Sequence, residues 1–410
     1  MKKNAILLAV LVVMLVGCST QTSQQETDKK VENVQMVEGS GLEGKADKVD
    51  QIDSEEIENE QELLKDYFHE MISAVDENKV EKFLAYIDSS DELFYKEQQG
   101  WIESLEQKRI EGWEVTVSID NITLESMDWG SVDLIISMKN KDQYKNNRIT
   151  YPIGKNNGMW KINELPFKKL SNGPINLYYL PSLESKADMI LADIKELVDL
   201  YSQTFGWDPQ ELNIKLYDTP EKIAASVGWP SLYGVAVPFV SLKFVVEGEY
   251  SVTYGLMKHE IVHMMLADLS NDNAPMFLQE GLAIFVSSAV VKNDTETPQL
   301  DFTKVKEKEK IIVANTKEIK PISELNEINY TENYIDIYNV GFLITDYLIQ
   351  THGIEKYLEM VELLKESDII EHGNPDRDNI VYQLTVEAIE QIYGSIEKIS
   401  DAYIEHYKEE

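Results

Sequence analysis

The chain has 410 residues, more than one ordinary hydrophobic core supports, so at least two folded units are expected. Hydrophobic residues make up 43% of it, which suits packed cores and excludes a globally disordered protein. The formal net charge of −35 argues against nucleic acid or anionic lipid headgroups as partners, because both would be repelled.

The first residues have the pattern of a secretory signal. Two lysines precede an uncharged apolar run, Ala5–Val16, which is too short to span a bilayer but suits a signal-peptide core. The run ends in Leu15-Val16-Gly17-Cys18, which resembles a bacterial lipobox. This resemblance implies removal of residues 1–17, a lipid on Cys18, and a lipid-anchored protein on the extracytoplasmic face of the bacterial membrane. The alternative is an ordinary secretory signal with an incidental cysteine.

Residues 18–54 are polar, and a flexible tether is predicted there because the segment cannot bury enough apolar surface to fold. Helical spacing of apolar residues then runs from Leu63 to Val75. Further helices are predicted over 80–87 and 93–107, and strands over 113–119, 131–138, 147–153 and 159–162. Helices followed by an antiparallel sheet resemble the NTF2-like α+β cone over residues 55–168. The segment lacks a convergent set of acid, base or nucleophile, so a spacer, dimerisation or peptide-binding role is expected.

A turn cluster over 168–174 is the predicted boundary, and a second unit is expected over 175–410. Its strands are predicted at 175–180, 212–217 and 241–246, with helices at 185–205, 252–267, 275–290, 335–352, 354–366, 379–393 and 395–408. The predicted class is α+β, with a mixed sheet followed by a mostly helical C-terminal half.

The chemistry-bearing motif is His259-Glu260-Ile261-Val262-His263. An α-helix turns about 100° per residue, so the two histidines project from one face and can share a metal ion. Glu260 lies beside them, within reach of a water on that ion but outside the ligand set. The alternative is a pair of satisfied histidines on a half-buried helix.

A hydrolytic zinc site needs a third protein ligand and an open position. The metzincin pattern would place glycine and histidine at positions 266 and 269, but both are leucines, so that class is excluded. A gluzincin takes a glutamate from the following helix, and Glu280 is the candidate. Gly281 is expected to allow close packing against the helix that carries the histidines.

The motif, the turn Asn271-Asp272-Asn273 and the run Phe277-Leu278-Gln279-Glu280-Gly281-Leu282-Ala283 resemble the peptidase MA-like gluzincins over roughly 175–410. Phe277 departs from the family, which commonly has tryptophan there. The resemblance implies one zinc ion on His259, His263 and Glu280, with Glu260 as general base. It also implies an oxyanion-stabilising tyrosine, for which Tyr338 is the better match and Tyr334 the competitor.

The resemblance further implies that the strand at 241–246 forms the upper cleft edge and pairs with an extended substrate. The other histidines, His69, His352, His372 and His406, lack ligand spacing and are not assigned to metal.

The predicted function is a membrane-anchored zinc metallopeptidase that hydrolyses peptide bonds by Glu-assisted attack of zinc-bound water. Its expected partners are a polypeptide substrate and, through the lipid, the membrane. The alternatives are a peptide-binding lipoprotein with an inactive zincin fold and a purely structural metal. The substrate-binding residues and the oligomeric state are left open.

Overall fold

The computed structural model of the chain describes residues 54–141, 143–229, 232–292, 297–327 and 334–408. The predicted signal peptide, nearly all of the predicted tether, and Cys18, the predicted lipid attachment site, lie outside these ranges. Within them, no helix combines the length and the apolar character needed to cross a membrane.

The N-terminal unit consists of three helices followed by a four-stranded antiparallel sheet. Its helices are α1 (Ser54–Asp76), α2 (Val80–Leu84) and α3 (Glu92–Ile110), and its strands are β1 (Glu114–Leu124), β2 (Trp129–Asn140), β3 (Gln143–Asn156) and β4 (Met159–Ile162), in the order β1-β2-β3-β4. Asp91 caps α3 by accepting a 3.0 Å hydrogen bond from the backbone N–H of Phe94. All predicted elements are present. β1, β2 and β3 extend beyond their predicted ends because hairpin pairing continues past the apolar alternation.

The second sheet is mixed and has five strands, in the order β5-β6-β7-β9-β8. The strands are β5 (Lys168–Asn172), β6 (Ile175–Tyr179), β7 (Leu212–Tyr217), β8 (Gly234–Val237) and β9 (Ser241–Val245). β6, β7 and β9 run parallel, while β5 and β8 pair antiparallel to their neighbours. A 3₁₀ turn (Pro181–Leu183) and helix α4 (Glu184–Phe205) connect β6 to β7, and α5 (Pro220–Val227) follows β7.

The predicted turn cluster over 168–174 is wrong in extent. Lys168–Asn172 is a strand, and only Gly173 and Pro174 form the turn, because Asn172 pairs directly with Ile175. Gly173 has a φ of +61°, the left-handed value that the first position of a tight type II′ hairpin turn requires.

The C-terminal half is almost entirely helical, as predicted. It contains α6 (Tyr250–Ser270), α7 (Met276–Ala289), β10 (Val290–Val291), β11 (Gln299–Leu300), α8 (Thr303–Asn315), a 3₁₀ turn (Ile322–Glu327), α9 (Tyr334–His352), α10 (Ile354–Lys365), α11 (Arg377–Tyr393) and α12 (Ile396–Lys408). Helix α8 was not predicted, because it buries only Val305, Glu309 and Ile312 and so has a narrow apolar stripe.

The five-stranded sheet is buried on both faces. Successive side chains of a strand point to opposite sides, so Ile214 and Leu216 of β7 face the core formed with the C-terminal helices. Tyr217 and the β9 residue Val245 belong instead to the core of the N-terminal unit. The N-terminal unit therefore packs on the back of the second sheet.

Four charged side chains lie between the N-terminal unit and the five-stranded sheet. Glu97 of α3 accepts from the ammonium group of Lys215, from Lys243 Nζ at 3.1 Å and from Ser241 Oγ at 2.6 Å. Glu164 also pairs with Lys215. Burial raises the pKa of Glu97, but the two ammonium groups outweigh burial and the net pKa lies below its usual value. The cluster fixes α3 against β7 and β9, because each buried charge depends on a partner from the other unit.

The N-terminal unit also caps α5. The last carbonyl groups of a helix have no partner within it. Trp101 Nε1 donates to Ala224 O at 2.9 Å, Gln98 Nε2 to Ala225 O at 2.7 Å, and Ser104 Oγ to Val227 O at 2.8 Å. The α5 end, which leads into β8, is therefore held by side chains of α3.

The N-terminal unit also contains a carboxyl group that makes stability depend on pH. Glu103 is 8% exposed, its Oε1 accepts from Gln99 Nε2 at 3.2 Å, and its buried Oε2 has no partner. Burial raises the pKa of Glu103 to about 7. The folded state therefore binds a proton that the unfolded chain releases near pH 4.5, so stability falls as pH rises through 7.

Glu103→Gln is expected to raise the melting temperature at pH 8 and to leave it nearly unchanged at pH 5, where the carboxyl is already neutral. Thermal unfolding followed by circular dichroism at both pH values measures this. Glu62→Gln, at an exposed position of α1, is the matched control and should change neither temperature. An equal shift at both pH values would contradict the assigned titration.

Candidate metal centre

Helix α6 carries both histidines of the motif. His259 and His263 are one turn apart, and their Nε2 atoms lie 3.1 Å from each other. Both side chains are largely enclosed, at 12% and 1% exposure. Burial lowers the pKa of His263, which keeps its imidazole in the neutral form that binds a metal.

Helix α7 brings the third candidate ligand to the same point. Glu280 Oε2 lies 3.2 Å from His259 Nε2 and 3.7 Å from His263 Nε2, and its side chain is fully buried. One ligand atom from each residue can be chosen so that all three lie within 4.8 Å of one another. Ligands about 2.1 Å from a tetrahedral zinc ion would be separated by about 3.4 Å. The two nitrogens and one oxygen therefore fit a zinc ion and leave the fourth position open.

The turn Asn271-Asp272-Asn273 between α6 and α7 is anchored by distant partners that were not predicted from the sequence. Asn273 Nδ2 donates to the backbone oxygens of Leu364, Ser367 and Asp368 at 3.2–3.3 Å, and its Oδ1 accepts from Ile370 N at 3.1 Å. These bonds tie the turn to the segment after α10 and so fix how α7 follows α6.

Asp272, in the same turn, has two further partners. His372 Nε2 lies 2.5 Å from Asp272 Oδ2, and Arg377 Nη2 donates to Asp272 O at 2.5 Å. Asn271 and Asp272 both have positive φ values, of 52° and 56°. A run of asparagine and aspartate was the available signal, since these residues tolerate that conformation best after glycine. Its partners were not visible because they lie about 100 residues away.

Glu260 lies beneath the edge of the five-stranded sheet. Its side chain is fully buried, and neither carboxylate oxygen has a hydrogen bond of standard geometry. Burial raises its pKa well above the usual value and the charge of Glu280 adds to this, while the backbone N–H of Ala236 opposes it. A Cβ placed on Gly234 would lie 3.0 Å from Glu260 Oε1, so a larger residue there would require the carboxylate to shift.

The predicted cleft edge at 241–246 is wrong. β9 lies between β7 and β8, so its backbone groups pair on both sides. β8 is the outer strand, and it approaches Glu260. The run at 241–246 is the longer β-rich segment, but the β8–β9 hairpin places the short strand Gly234–Val237 outside it.

Tyr338 is the fifth residue of α9, and its hydroxyl donates a hydrogen bond to the Glu280 carboxylate. Burial, followed by the charges of Glu280 and Glu260, raises the pKa of Tyr338 well above its usual value and keeps the hydroxyl protonated. Tyr334 begins the same helix, but its side chain is not among the described groups. The structure thus brings five predicted residues together: His259, Glu260, His263, Glu280 and Tyr338.

Gly281 does allow a close helix contact, but with a different helix from the one predicted. A Cβ at Gly281 would fall on the backbone of Gly341 in α9, rather than on α6.

Comparison with known proteins gives distant structural neighbours only. No family model matches the chain, and no curated protein matches it. Aminopeptidase A of Legionella pneumophila, solved with aspartic acid, is 13% identical with a TM-score of 0.38, covering 70% of this chain and 32% of that one. An M1 zinc metallopeptidase of Deinococcus radiodurans is 10% identical with a TM-score of 0.31, covering 72% and 62%. The chain thus spans less than two thirds of either neighbour.

Proposed function

We propose that this chain is a zinc metallopeptidase that hydrolyses peptide bonds. The observation that carries the proposal is the triangle of His259, His263 and Glu280 donor atoms, with Glu260 and Tyr338 on the same site. Two neutral imidazoles and one carboxylate leave a divalent ion with net positive charge. A zinc ion held there would polarise the scissile carbonyl and acidify water.

Glu260 is proposed as the general base. A base works best when its pKa lies near the working pH, and burial moves the pKa of Glu260 upward from 4.5 in that direction. Glu260 does not belong to the group of donor atoms that lie within 4.8 Å of one another, and so its carboxylate is free to take a proton from water and pass it to the leaving amine.

Tyr338 is proposed as the second donor to the oxyanion. Its hydroxyl stays protonated and already donates to a charged oxygen in the site. Transferring this bond toward the carbonyl oxygen of a substrate would stabilise negative charge as it develops.

The substrate is proposed to be an extended polypeptide beside β8. Hydrogen bonds to β9 alternate along β8, and Tyr233 O accepts from Val245 N at 2.8 Å. By this alternation, the backbone groups of Gly234 and Ala236 point away from β9. The N–H of Ala236 lies close enough to Glu260 to oppose the rise in its pKa. An extended peptide can add to such an edge as a further strand.

The N-terminal features complete the proposal. A lipid on Cys18 would anchor the enzyme to the extracytoplasmic face of the bacterial membrane, and residues 18–54 would serve as its tether. The N-terminal unit is proposed to be NTF2-like, on the strength of its three helices followed by an antiparallel sheet.

Metal removal tests the proposal directly. The purified protein is expected to contain one zinc ion per chain by elemental analysis and to cleave members of a mixed peptide library. Dialysis against a chelator should abolish cleavage, and zinc should restore it. Bound zinc without cleavage would favour the peptide-binding alternative, and a protein that cannot bind zinc would refute the proposed site.

A further inference from the structure

Helices α7 and α9 meet through a pair of glycines. A Cβ on Gly281 would lie 2.5 Å from the carbonyl carbon of Gly341 and 2.6 Å from Thr345 Oγ1. A Cβ on Gly341 would lie 3.0 Å from the carbonyl carbon of Phe277 and would overlap its oxygen. Both obstacles are backbone, so neither helix can accept a larger residue without moving. We call this contact the glycine clasp.

The glycine clasp lies directly beside the metal centre in sequence and in space. Gly281 follows the candidate ligand Glu280, and Gly341 lies one helical turn after Tyr338. The Tyr338 hydroxyl donates to the Glu280 carboxylate across the same pair of helices. The distance between the helix axes therefore decides whether this hydrogen bond can form.

We propose that Gly281 and Gly341 are positioning residues that hold the Tyr338 hydroxyl on the Glu280 carboxylate and so set the zinc affinity of the site. The inference rests on the zinc site proposed above. Partners that orient a metal ligand from outside the coordination sphere typically change metal affinity about 10- to 100-fold when they are removed. A small increase in helix separation removes such a partner without touching any ligand.

Zinc affinity measured with the metal alone is the test, by competition with a fluorescent chelator. Gly341→Ala and Tyr338→Phe are each expected to raise the zinc Kd about 10-fold. The double variant should be no weaker than either single one, because both changes remove the same hydrogen bond. Gly255→Ala is the matched control: Gly255 lies on α6, where a Cβ would meet nothing within 4 Å, and its Kd should equal that of the wild type.

Two results would overturn the inference. One is a Gly341→Ala variant with the wild-type Kd, and the other is additive loss in the double variant, which would mean that the clasp acts independently of Tyr338. If Gly341→Ala fails to fold, amide exchange of the wild-type protein with and without zinc provides the test. Zinc should slow amide exchange around Tyr338 and Gly341 in α9 as well as in α7, and unchanged exchange in α9 refutes the coupling. Wild-type protein that binds zinc but cleaves no peptide would contradict the proposed function. The zinc affinities of the variants would still test the inference in that case.

Discussion

Glu260→Gln is expected to lower kcat for peptide hydrolysis about 10³-fold, while the protein keeps its zinc. Glutamine has nearly the same shape but cannot accept a proton, and general-base catalysis typically contributes 10²- to 10⁴-fold. Zinc should remain because the donor triangle is formed by His259, His263 and Glu280. KM should change little, since the lost interaction belongs to the transition state. Steady-state kinetics with elemental analysis of the same sample measures both quantities.

The matched control is Glu249→Gln. Glu249 precedes the same helix, is exposed, and makes no side-chain capping bond, so kcat should stay at the wild-type value. A Glu260→Gln enzyme with wild-type kcat would remove the general base from the mechanism. Loss of zinc from this variant would instead show that Glu260 supports the metal centre and that its role was assigned wrongly.

The parts of the site that could be predicted are those encoded locally. His259 and His263 are four residues apart on one helix, so helix geometry alone brings them together. Glu280 needed only the next helix and a short turn. Tyr338 was harder, because the chain returns to the site after about 60 residues, and its selection depended on a family pattern rather than on spacing.

The parts that could not be predicted depend on distant partners. β7 and β9 each contain a single lysine, and a lysine in a strand ordinarily faces solvent. Lys215 and Lys243 are nevertheless buried, because α3 supplies Glu97 against that face of the sheet. No local pattern in β7 or β9 encodes this. The outer position of β8 could not be predicted for the same reason. Strand order depends on hairpin and crossover contacts, and the linear sequence does not specify these directly.

The buried ion cluster also explains why the two units are better regarded as one folded body. The cluster links α3 to β7 and β9, while α3 also caps the helix that leads into β8. The edge strand beside Glu260 therefore depends on the N-terminal unit for its position. This gives the N-terminal unit a structural role in the site.

Glu97→Gln is accordingly expected to destabilise the whole protein by about 3–5 kcal/mol, the usual cost of breaking a buried ion pair on one side. The change leaves Lys215 and Lys243 facing only one carboxylate, that of Glu164, whose pKa burial raises to about 7. Burial lowers the pKa of Lys243, which makes it the least compensated charge of the cluster. Adding Lys243→Met should therefore restore much of the loss, since one buried cation then faces one carboxylate. Urea unfolding of the two single variants and the double variant forms the cycle that measures this. A Glu97→Gln protein within about 1 kcal/mol of the wild type, or a double variant less stable than Glu97→Gln alone, would show that the cluster does not hold the two units together.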